Sequence, residues 1–521
     1  MSARFALLGG LMLFGSVSLA AQSPAPVRRL TLEDALQLAR PASEPVGLAR
    51  AAVTRARGEQ YQARSELFPQ LSGSASYSRL IKSQFEGFAT DDDGGPARPT
   101  SCARFFPDPS LPIAARVDSL EKSLECVSAL DPFGDLGSLP FGRANTYNLG
   151  LSLSQTLFAG GRIRGQMSAA DAGRRSAEIG LTSADANLTL SVVETYFDAV
   201  LADQLATIAR SALDQADSTL RQTELRRQVG TAPEFDLLRA RVTRDNQRAA
   251  AIRLESDRDL AHLRLKQLLE LPSADSLTLV TVLDDSALAG APSLAPLLAG
   301  VPDTVAEHRA PVRQAVEAVN AREGLLKVAR SQQLPALALT SGYSRVAYPG
   351  GAVPSWSSFL TNWSVAVGLT MPIFTGGRIK GDKLVASAEL DQARLLLRQT
   401  AESAELDARS SSRQLRSAIE ALRASEGTAD QAERAYRIAE VRYAEGISTQ
   451  NELLDARLAL EIARGNRAQA SRDAQVARVR MALIANLPLA SAGTVLPAAT
   501  RAPQRAPTPP QSAASAGTGF P

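Results

Sequence analysis

The chain has 521 residues, of which 45% are hydrophobic and 21% are charged, and its formal net charge is +3. A net charge this small is unlike the concentrated basic surface of nucleic-acid binders, so we expect no nucleic-acid partner. Two histidines and two cysteines, without the spacing of a metal-ligand set or a catalytic triad, predict no metal site, no cofactor and no enzymatic activity.

Residues 1–20 have the pattern of a secretory signal peptide. Met1–Arg4 is a short cationic start, Phe5–Leu19 is apolar, and Ser18-Leu19-Ala20 offers a cleavage site of small residues. This segment is too short to span a membrane, and no later segment approaches 20 uninterrupted apolar residues. We therefore expect any membrane-inserted part of the mature chain to consist of β-strands.

The sequence contains an internal duplication. Residues 45–79 recur as residues 311–345, with Tyr-Ser-Arg at the end of both copies, and residues 157–165 recur as residues 373–381. Matches in the same order over such a distance predict two internal structural repeats. The first copy is longer because of an insertion between residues 79 and 147.

Alternating stretches in each repeat predict β-strands. Apolar and small polar residues alternate strictly in 147–154 and 363–370, and more weakly in 71–79 and 337–346. Each stretch is about ten residues long, which is the length of a tilted membrane-spanning strand. Both tryptophans of the chain fall in this zone, as in an interfacial aromatic girdle. A soluble hairpin is the alternative, but one small polar face on four strands favours the membrane.

Long helices follow the strands. Residues 165–228 and 381–445 contain no proline, and small apolar residues recur at steps of three and four. A helix of about 65 residues is about 100 Å long, and two adjacent apolar stripes predict two helical neighbours, as in a ring of helices. Shorter return helices should end at Pro272 and Pro488, because proline cannot continue a helix.

These patterns divide the chain into five segments. We predict a signal peptide (1–20), repeat 1 (21–272: short helix, β-hairpin with a long extracellular loop 80–143, helical hairpin 159–272), an inter-repeat linker (273–307), repeat 2 (308–488: short helix, β-hairpin 335–374, helical hairpin 375–488) and a disordered Pro/Ala-rich tail (489–521).

Four strands cannot close a barrel, and unpaired strand edges cannot lie in lipid, so closure must occur between chains. A dimer would give eight strands with a filled interior, whereas a trimer gives twelve strands around an aqueous lumen. The polar inward faces, with Asn148, Ser152 and Ser154, favour the trimer. The predicted fold is mainly α with membrane β: a trimeric 12-stranded β-barrel, four strands per chain, continuous with a long periplasmic α-helical barrel.

Three motifs resemble the TolC-like outer membrane efflux proteins. They are the Leu30–Leu36 segment, the paired Phe-x-Gly-Gly-Arg turns that begin at Phe158 and Phe374, and the paired Gly-x5-[Asp/Glu]-Leu-Leu segments that begin at Gly230 and Gly446. The resemblance covers roughly residues 30 to 490.

The resemblance implies a passive exit duct in the cell outer membrane, in contact with outer-membrane lipid, with its helical barrel in the periplasm. The implied partners are two further copies of the chain, a periplasmic adaptor (membrane fusion) protein and an inner-membrane RND or ABC transporter of a tripartite pump that exports drugs or other small molecules. Two alternatives remain open: the outer-membrane component of type I protein secretion, and a periplasmic structural coiled-coil tether without a channel.

The resemblance also places a periplasmic gate at the tips of the helical hairpins. Glu452 and Asp455 match two acids that ring the constriction, and their i, i+3 spacing puts them on one helix face. Tyr443 and Asp236 match a pair that holds the tip shut. Ser448 stands where the family has an arginine, so one ionic link of the usual latch is missing.

Glu452 has a second interpretation, because Thr449–Glu452 also fits a helix capping box, and Thr231–Glu234 fits the same pattern in the first repeat. The adaptor is expected to contact the two tips, at Val229, Gly230, Thr231, Gly446, Ile447 and Ser448.

Cys102 and Cys126 both lie in the inserted loop. In an exported protein this pair predicts a local disulfide, with two unrelated free thiols as the alternative.

Overall fold

A computed structural model describes residues 28–82, 102, 108–128, 144–284, 287–349 and 351–490. The predicted signal peptide (1–20), most of the inserted loop and nearly all of the tail (489–521) lie outside these residues.

The described residues are mostly helical. Their α-helices are α1 (Leu32–Ala42), α2 (Glu44–Ser65), α3 (Ile113–Ser128), α4 (Arg162–Gln228), α5 (Glu234–Leu268), α6 (Ala295–Ala299), α7 (Ala310–Ser331), α8 (Arg378–Ala444) and α9 (Gln450–Leu483). Their strands are β1 (Arg28–Leu30), β2 (Gln70–Arg79), β3 (Asn145–Ala159), β4 (Leu277–Leu279), β5 (Ala336–Ala347) and β6 (Leu360–Thr370).

The two longest helices, α4 and α8, each have 67 residues, as their proline-free sequences predicted. Their return helices, α5 and α9, have 35 and 34 residues. Within the described residues, no helix combines the length and the apolar composition needed to cross a membrane.

One compact unit contains residues up to 55, 173–319 and those from 392 onward. In this unit β1 pairs in parallel with β4, and α1 starts with a capping box in which the Asp34 N–H donates to the Thr31 hydroxyl and the Thr31 N–H donates to the Asp34 carboxylate, both at 3.1 Å. The side chain of Tyr196 is buried, and its hydroxyl donates to the Leu30 carbonyl oxygen at 3.0 Å. The Leu30–Leu36 motif therefore forms the end of a strand and the start of a capped helix against the core.

The start of repeat 2, just before α7, is attached to α8 by a buried ion pair. The side chain of Arg309 is fully buried, and its guanidinium donates to the Asp407 carboxylate at 2.8 Å and to the Ala404 carbonyl oxygen at 3.3 Å. Buried charges are tolerated in proteins only when they are paired in this way.

The second compact unit contains residues 56–172 and 320–391. Its sheet has the order β2-β3-β5-β6, and all of its neighbouring strands are antiparallel. Leu151 lies opposite Tyr343 on the apolar face of the sheet. On the other face the hydroxyls of Ser72 and Ser152 are 2.6 Å apart. The alternation of the sequence therefore separates an apolar face from a small polar face.

In the same unit, α4 and α7 cross at two glycines. A Cβ atom on Gly165 would lie 2.7 Å from the carbonyl oxygen of Gly324, and one on Gly324 would lie 2.6 Å from that of Gly165. The two backbones can approach this closely only because neither residue has a side chain.

The inserted segment 80–143 contains a helix that the sequence analysis did not predict. Helix α3 follows Pro112, and no glycine or proline occurs between Ile113 and Ser128, although the flanking residues are rich in both. Cys126 in α3 is disulfide-bonded to Cys102.

Candidate functional site at the tips of the helical hairpins

The tip between α4 and α5 closes with a glycine in the left-handed conformation. Gly230 has a φ of 77°. Its N–H donates to the Arg227 carbonyl oxygen at 2.9 Å, and the Thr231 N–H donates to that of Arg226 at 2.8 Å. This is a Schellman motif, which satisfies the last carbonyls of a helix and favours glycine at the turn.

The tip between α8 and α9 has the same geometry. Gly446 has a φ of 73°. Its N–H donates to the Tyr443 carbonyl oxygen at 3.1 Å, and the Ile447 N–H donates to that of Arg442 at 2.8 Å. The paired glycines of the sequence therefore mark two equivalent helix ends.

The second return helix has a threonine cap. Thr449 is the N-cap of α9, and its hydroxyl oxygen accepts from the Glu452 N–H at 3.4 Å. The Glu452 carboxylate accepts from the Thr449 hydroxyl at 3.5 Å rather than from the backbone amide of the cap. Capping thus explains the hydrogen bond of the Glu452 backbone N–H. The Glu452 side chain remains exposed.

The capping box predicted at Thr231 is wrong. Helix α5 begins at Glu234 with Pro233 as its N-cap, and the cap has no side-chain hydrogen bond. The hydroxyl of Thr231 instead donates backwards to the Arg226 carbonyl oxygen at 3.0 Å. The carboxylate of Glu234 lies 3.4 Å from the guanidinium of Arg227 across the turn.

The two predicted constriction acids lie one turn apart near the start of α9. Glu452 and Asp455 are both exposed, whereas Leu453 and Arg457 between and beyond them are buried. The exposed face of α9 therefore carries both carboxylates, and the face with Leu453 and Arg457 is packed against the rest of the protein.

Tyr443 and Asp236, the predicted latch pair, do not bond to each other in the described part of the chain. The ring of Tyr443 instead lies under the guanidinium of Arg226, whose central carbon is 4.9 Å from the ring centre. Asp236 is half-buried in the first turn of α5. Sequence reasoning missed Arg226, because no local motif indicates a contact between residues so far apart in the chain.

Arg239 adds a positive charge beside the acids. Its guanidinium donates to the Asn451 side-chain oxygen, in the residue immediately before Glu452. The 216-residue offset between the duplicated segments 157–165 and 373–381 aligns Arg239 with Asp455, so the sequence contains a signal that this arginine lies near the predicted gate.

Three polar groups near the second tip are buried without a hydrogen-bond partner within the described residues. They are both amide atoms of Gln450, the hydroxyl of Ser448 and Nη2 of Arg457. Arg457 does pair with Glu461, at 3.0 Å. A buried polar group without a partner costs free energy, so these groups are the least satisfied part of the tip. No sequence motif pointed to Gln450 or Arg457.

Large apolar side chains are exposed at both tips. The exposed fractions are 65% for Val229, 68% for Phe235 and 69% for Ile447. Exposed apolar residues at a turn that closes two long helices are typical of a contact surface for another molecule.

The described residues hold no cluster of three or more His, Cys, Asp and Glu side chains arranged for a metal ion. Each histidine pairs with a single acid: His262 with Asp203 at 2.9 Å and His308 with Asp303 at 2.8 Å.

Comparison with known proteins gives a consistent result. A sequence model described as outer membrane efflux protein matches residues 103–270 and 301–487. Outer membrane protein OprJ of Pseudomonas aeruginosa is 27% identical over 325 residues, covering 60% of this chain and 64% of OprJ. The toluene efflux pump outer membrane protein TtgF of Pseudomonas putida is 26% identical over 348 residues, covering 64% of this chain and 66% of TtgF. The chain thus spans slightly less than two thirds of the length of these relatives.

Among solved structures, the CmeC outer membrane channel of Campylobacter jejuni superposes with a TM-score of 0.68 at 19% identity, covering 88% of this chain and 87% of CmeC. This likeness concerns the fold.

Proposed function

The chain belongs to the outer membrane efflux protein family, as its resemblance to TolC-like proteins predicted, and from this premise we propose that it is the exit duct of a tripartite efflux pump. In this role it is a passive channel in the outer membrane, with its helices in the periplasm, and not an enzyme. The match of the family model to both halves of the chain carries the proposal. The name of TtgF, an outer membrane protein of an efflux pump, supports export of small molecules over type I protein secretion.

The edges of the sheet support assembly as a homotrimer. β2 and β6 lie at the two edges, and every residue of both strands is exposed. Unpaired edges cannot lie in lipid, so β6 of one chain would pair with β2 of the next. Three chains would then give a barrel of twelve strands, with the small polar face lining an aqueous lumen.

The exposed tips support docking of a periplasmic adaptor, which would connect the duct to an RND or ABC transporter in the inner membrane. Val229 comes just before the turn glycine of the first tip and Ile447 just after that of the second, and both are largely exposed. An adaptor that covers them would bury apolar surface, which is the main favourable contribution at most interfaces.

The acids at the second tip support a cation-attracting gate. In a trimer, the exposed carboxylates of Glu452 and Asp455 would recur three times around the opening. Carboxylates in a narrow and poorly screened passage attract cations more strongly than they would on an open surface. Arg239 beside Asn451 would moderate this field.

Planar bilayer recordings test the channel directly. Protein extracted from outer membranes with detergent should produce discrete ion-conducting steps. Extraction by high salt alone, together with an absence of conducting steps, would instead support the periplasmic tether.

Cross-linking tests the adaptor contact. Cysteines introduced at the exposed Thr231 and Ile447 should cross-link to the adaptor, whereas a cysteine at the exposed Ser211, in α4 and away from the tip, should not. Cross-links confined to Ser211 would show side-on binding and contradict docking at the tips.

A further inference from the structure

Arg79 and Arg345 are the only charged residues in β2, β3, β5 and β6. Neither these strands nor the connection 348–359 between β5 and β6 contains an aspartate or glutamate. Two positive charges without any carboxylate in the same sheet make this surface complementary to an anion.

Both arginines lie on the apolar face of the sheet. Arg345 is opposite Leu149, and Arg79 is opposite Asn145. Since side chains alternate along a strand, these positions share a face with Leu151 and Trp363 and not with the serines of the polar face. In the proposed barrel the apolar face contacts lipid, where an arginine is stable only if its charge reaches the interface.

A tryptophan holds the guanidinium of Arg345. The central guanidinium carbon lies 4.6 Å from the centre of the Trp356 ring, and Nε of Arg345 has no hydrogen-bond partner within the described residues. The connection that carries Trp356 is tied to β3, because the Asn145 amide donates to the Gly351 carbonyl oxygen at 3.0 Å and the Tyr147 hydroxyl donates to that of Ala352.

Aromatic side chains flank Arg345 on both sides along the strands. Tyr343 and Trp363 form the cross-strand pair that precedes it, and Tyr77 and Tyr147 pack at 4.7 Å in the row that follows it. Tyrosine and tryptophan in such a belt mark the level of the lipid headgroups. A cavity of about 500 Å³ beside Arg345 and Trp356 is open on this face.

We propose that Arg345, supported by Trp356, binds a phosphate group of an outer-leaflet lipopolysaccharide at the extracellular end of the barrel. This inference rests on the proposed function, in which the sheet is the membrane part of the duct. A planar guanidinium binds phosphate oxygens through two parallel hydrogen bonds, and phosphate is the anion that lipopolysaccharide presents at headgroup depth. Arg79, at the outer end of β2, adds a second positive charge to the same face.

The test uses native mass spectrometry of the detergent-solubilised protein titrated with lipopolysaccharide, with its dephosphorylated form and with inorganic phosphate. The wild-type protein should retain the phosphorylated lipid. Arg345→Gln should weaken this binding by about tenfold or more, the effect of losing a charge-assisted hydrogen-bond pair. Trp356→Leu should weaken it less. Arg398→Gln, at an exposed arginine of α8 outside the sheet, is the matched control and should bind like the wild type.

Several outcomes would overturn the proposal. Equal retention of lipopolysaccharide by Arg345→Gln and the wild type would show that Arg345 does not bind the lipid. Equal retention of the dephosphorylated and phosphorylated lipids would show that the phosphate group is not recognised. Displacement of the lipid by millimolar inorganic phosphate would indicate a general anion site. The same samples are recorded in planar bilayers: conducting Arg345→Gln channels show that the duct is intact, whereas a wild-type protein that does not conduct contradicts the proposed function itself.

Discussion

Arg226 lies over the ring of Tyr443 at 4.9 Å, although the two residues belong to the ends of different long helices, α4 and α8. A contact of this kind stabilises by about 0.5–2 kcal/mol, depending on its desolvation. It joins the two hairpin tips of the chain at the level of the proposed gate. The latch that the resemblance implied would instead join Tyr443 to Asp236, and within the described residues the Tyr443 ring contacts Arg226.

Removing this ring should loosen the attachment between the two hairpin tips. We expect Tyr443→Ala to raise the resting conductance of the channel in planar bilayers, and Arg226→Leu to do the same. Tyr443→Phe is the matched control, because it keeps the ring over Arg226 and removes only the hydroxyl. If Tyr443→Phe raised the resting conductance as much as Tyr443→Ala, the hydroxyl and not the ring would hold the tip, which would contradict the role of the ring contact.

Removing the acids of α9 should change cation block and cation selectivity. The Glu452→Ala, Asp455→Ala double variant should lose block by multivalent cations added from the periplasmic side and lose cation selectivity, since the field of the opening depends on these carboxylates. Glu445→Ala, an exposed acid on the preceding helix end, is the control and should keep the block. Unchanged block in the double variant would leave both acids with no role in the gate.

The glycine crossing gives a prediction about stability. A methyl group at Gly324 would meet the Gly165 carbonyl oxygen at 2.6 Å, so Gly324→Ala should destabilise the unit by about 1–3 kcal/mol. Gly58→Ala on α2 is the control, since nothing lies within 4 Å of its Cβ position and alanine favours a helix over glycine. Thermal unfolding in detergent should show a lower Tm for Gly324→Ala only. Equal Tm values for the wild type and Gly324→Ala would show that the helices can separate at no cost.

Residue periodicity predicted the long helices and the four sheet strands, because a repeat of two or of three to four residues is a local property of the sequence. The mainly helical composition of the fold followed from the same patterns, whereas the assignment to the outer membrane efflux proteins rested on the resemblance of three motifs. Helix α3 was missed because the glycines and prolines of the surrounding loop dominated its composition, although residues 113–128 contain neither. The capping box expected at Thr231 does not form because α5 starts later in the chain, with Pro233 as its N-cap.

The candidate site was only partly predictable for a different reason. The turn glycines and the face of Glu452 and Asp455 follow from local rules of helix geometry. The contact of Arg226 with Tyr443 and that of Arg239 with Asn451 join residues more than 200 positions apart, and such pairs depend on how the helices pack. The approach of Gly165 to Gly324 has the same origin.

The mass of the detergent-solubilised protein tests the central claim most directly, because the proposed duct depends on closure of the sheet between chains. Native mass spectrometry should find three chains, each of 521 residues less the predicted signal peptide. A species of one chain that is stable across detergents would contradict the account, since a four-stranded sheet with two open edges cannot form a channel through a membrane.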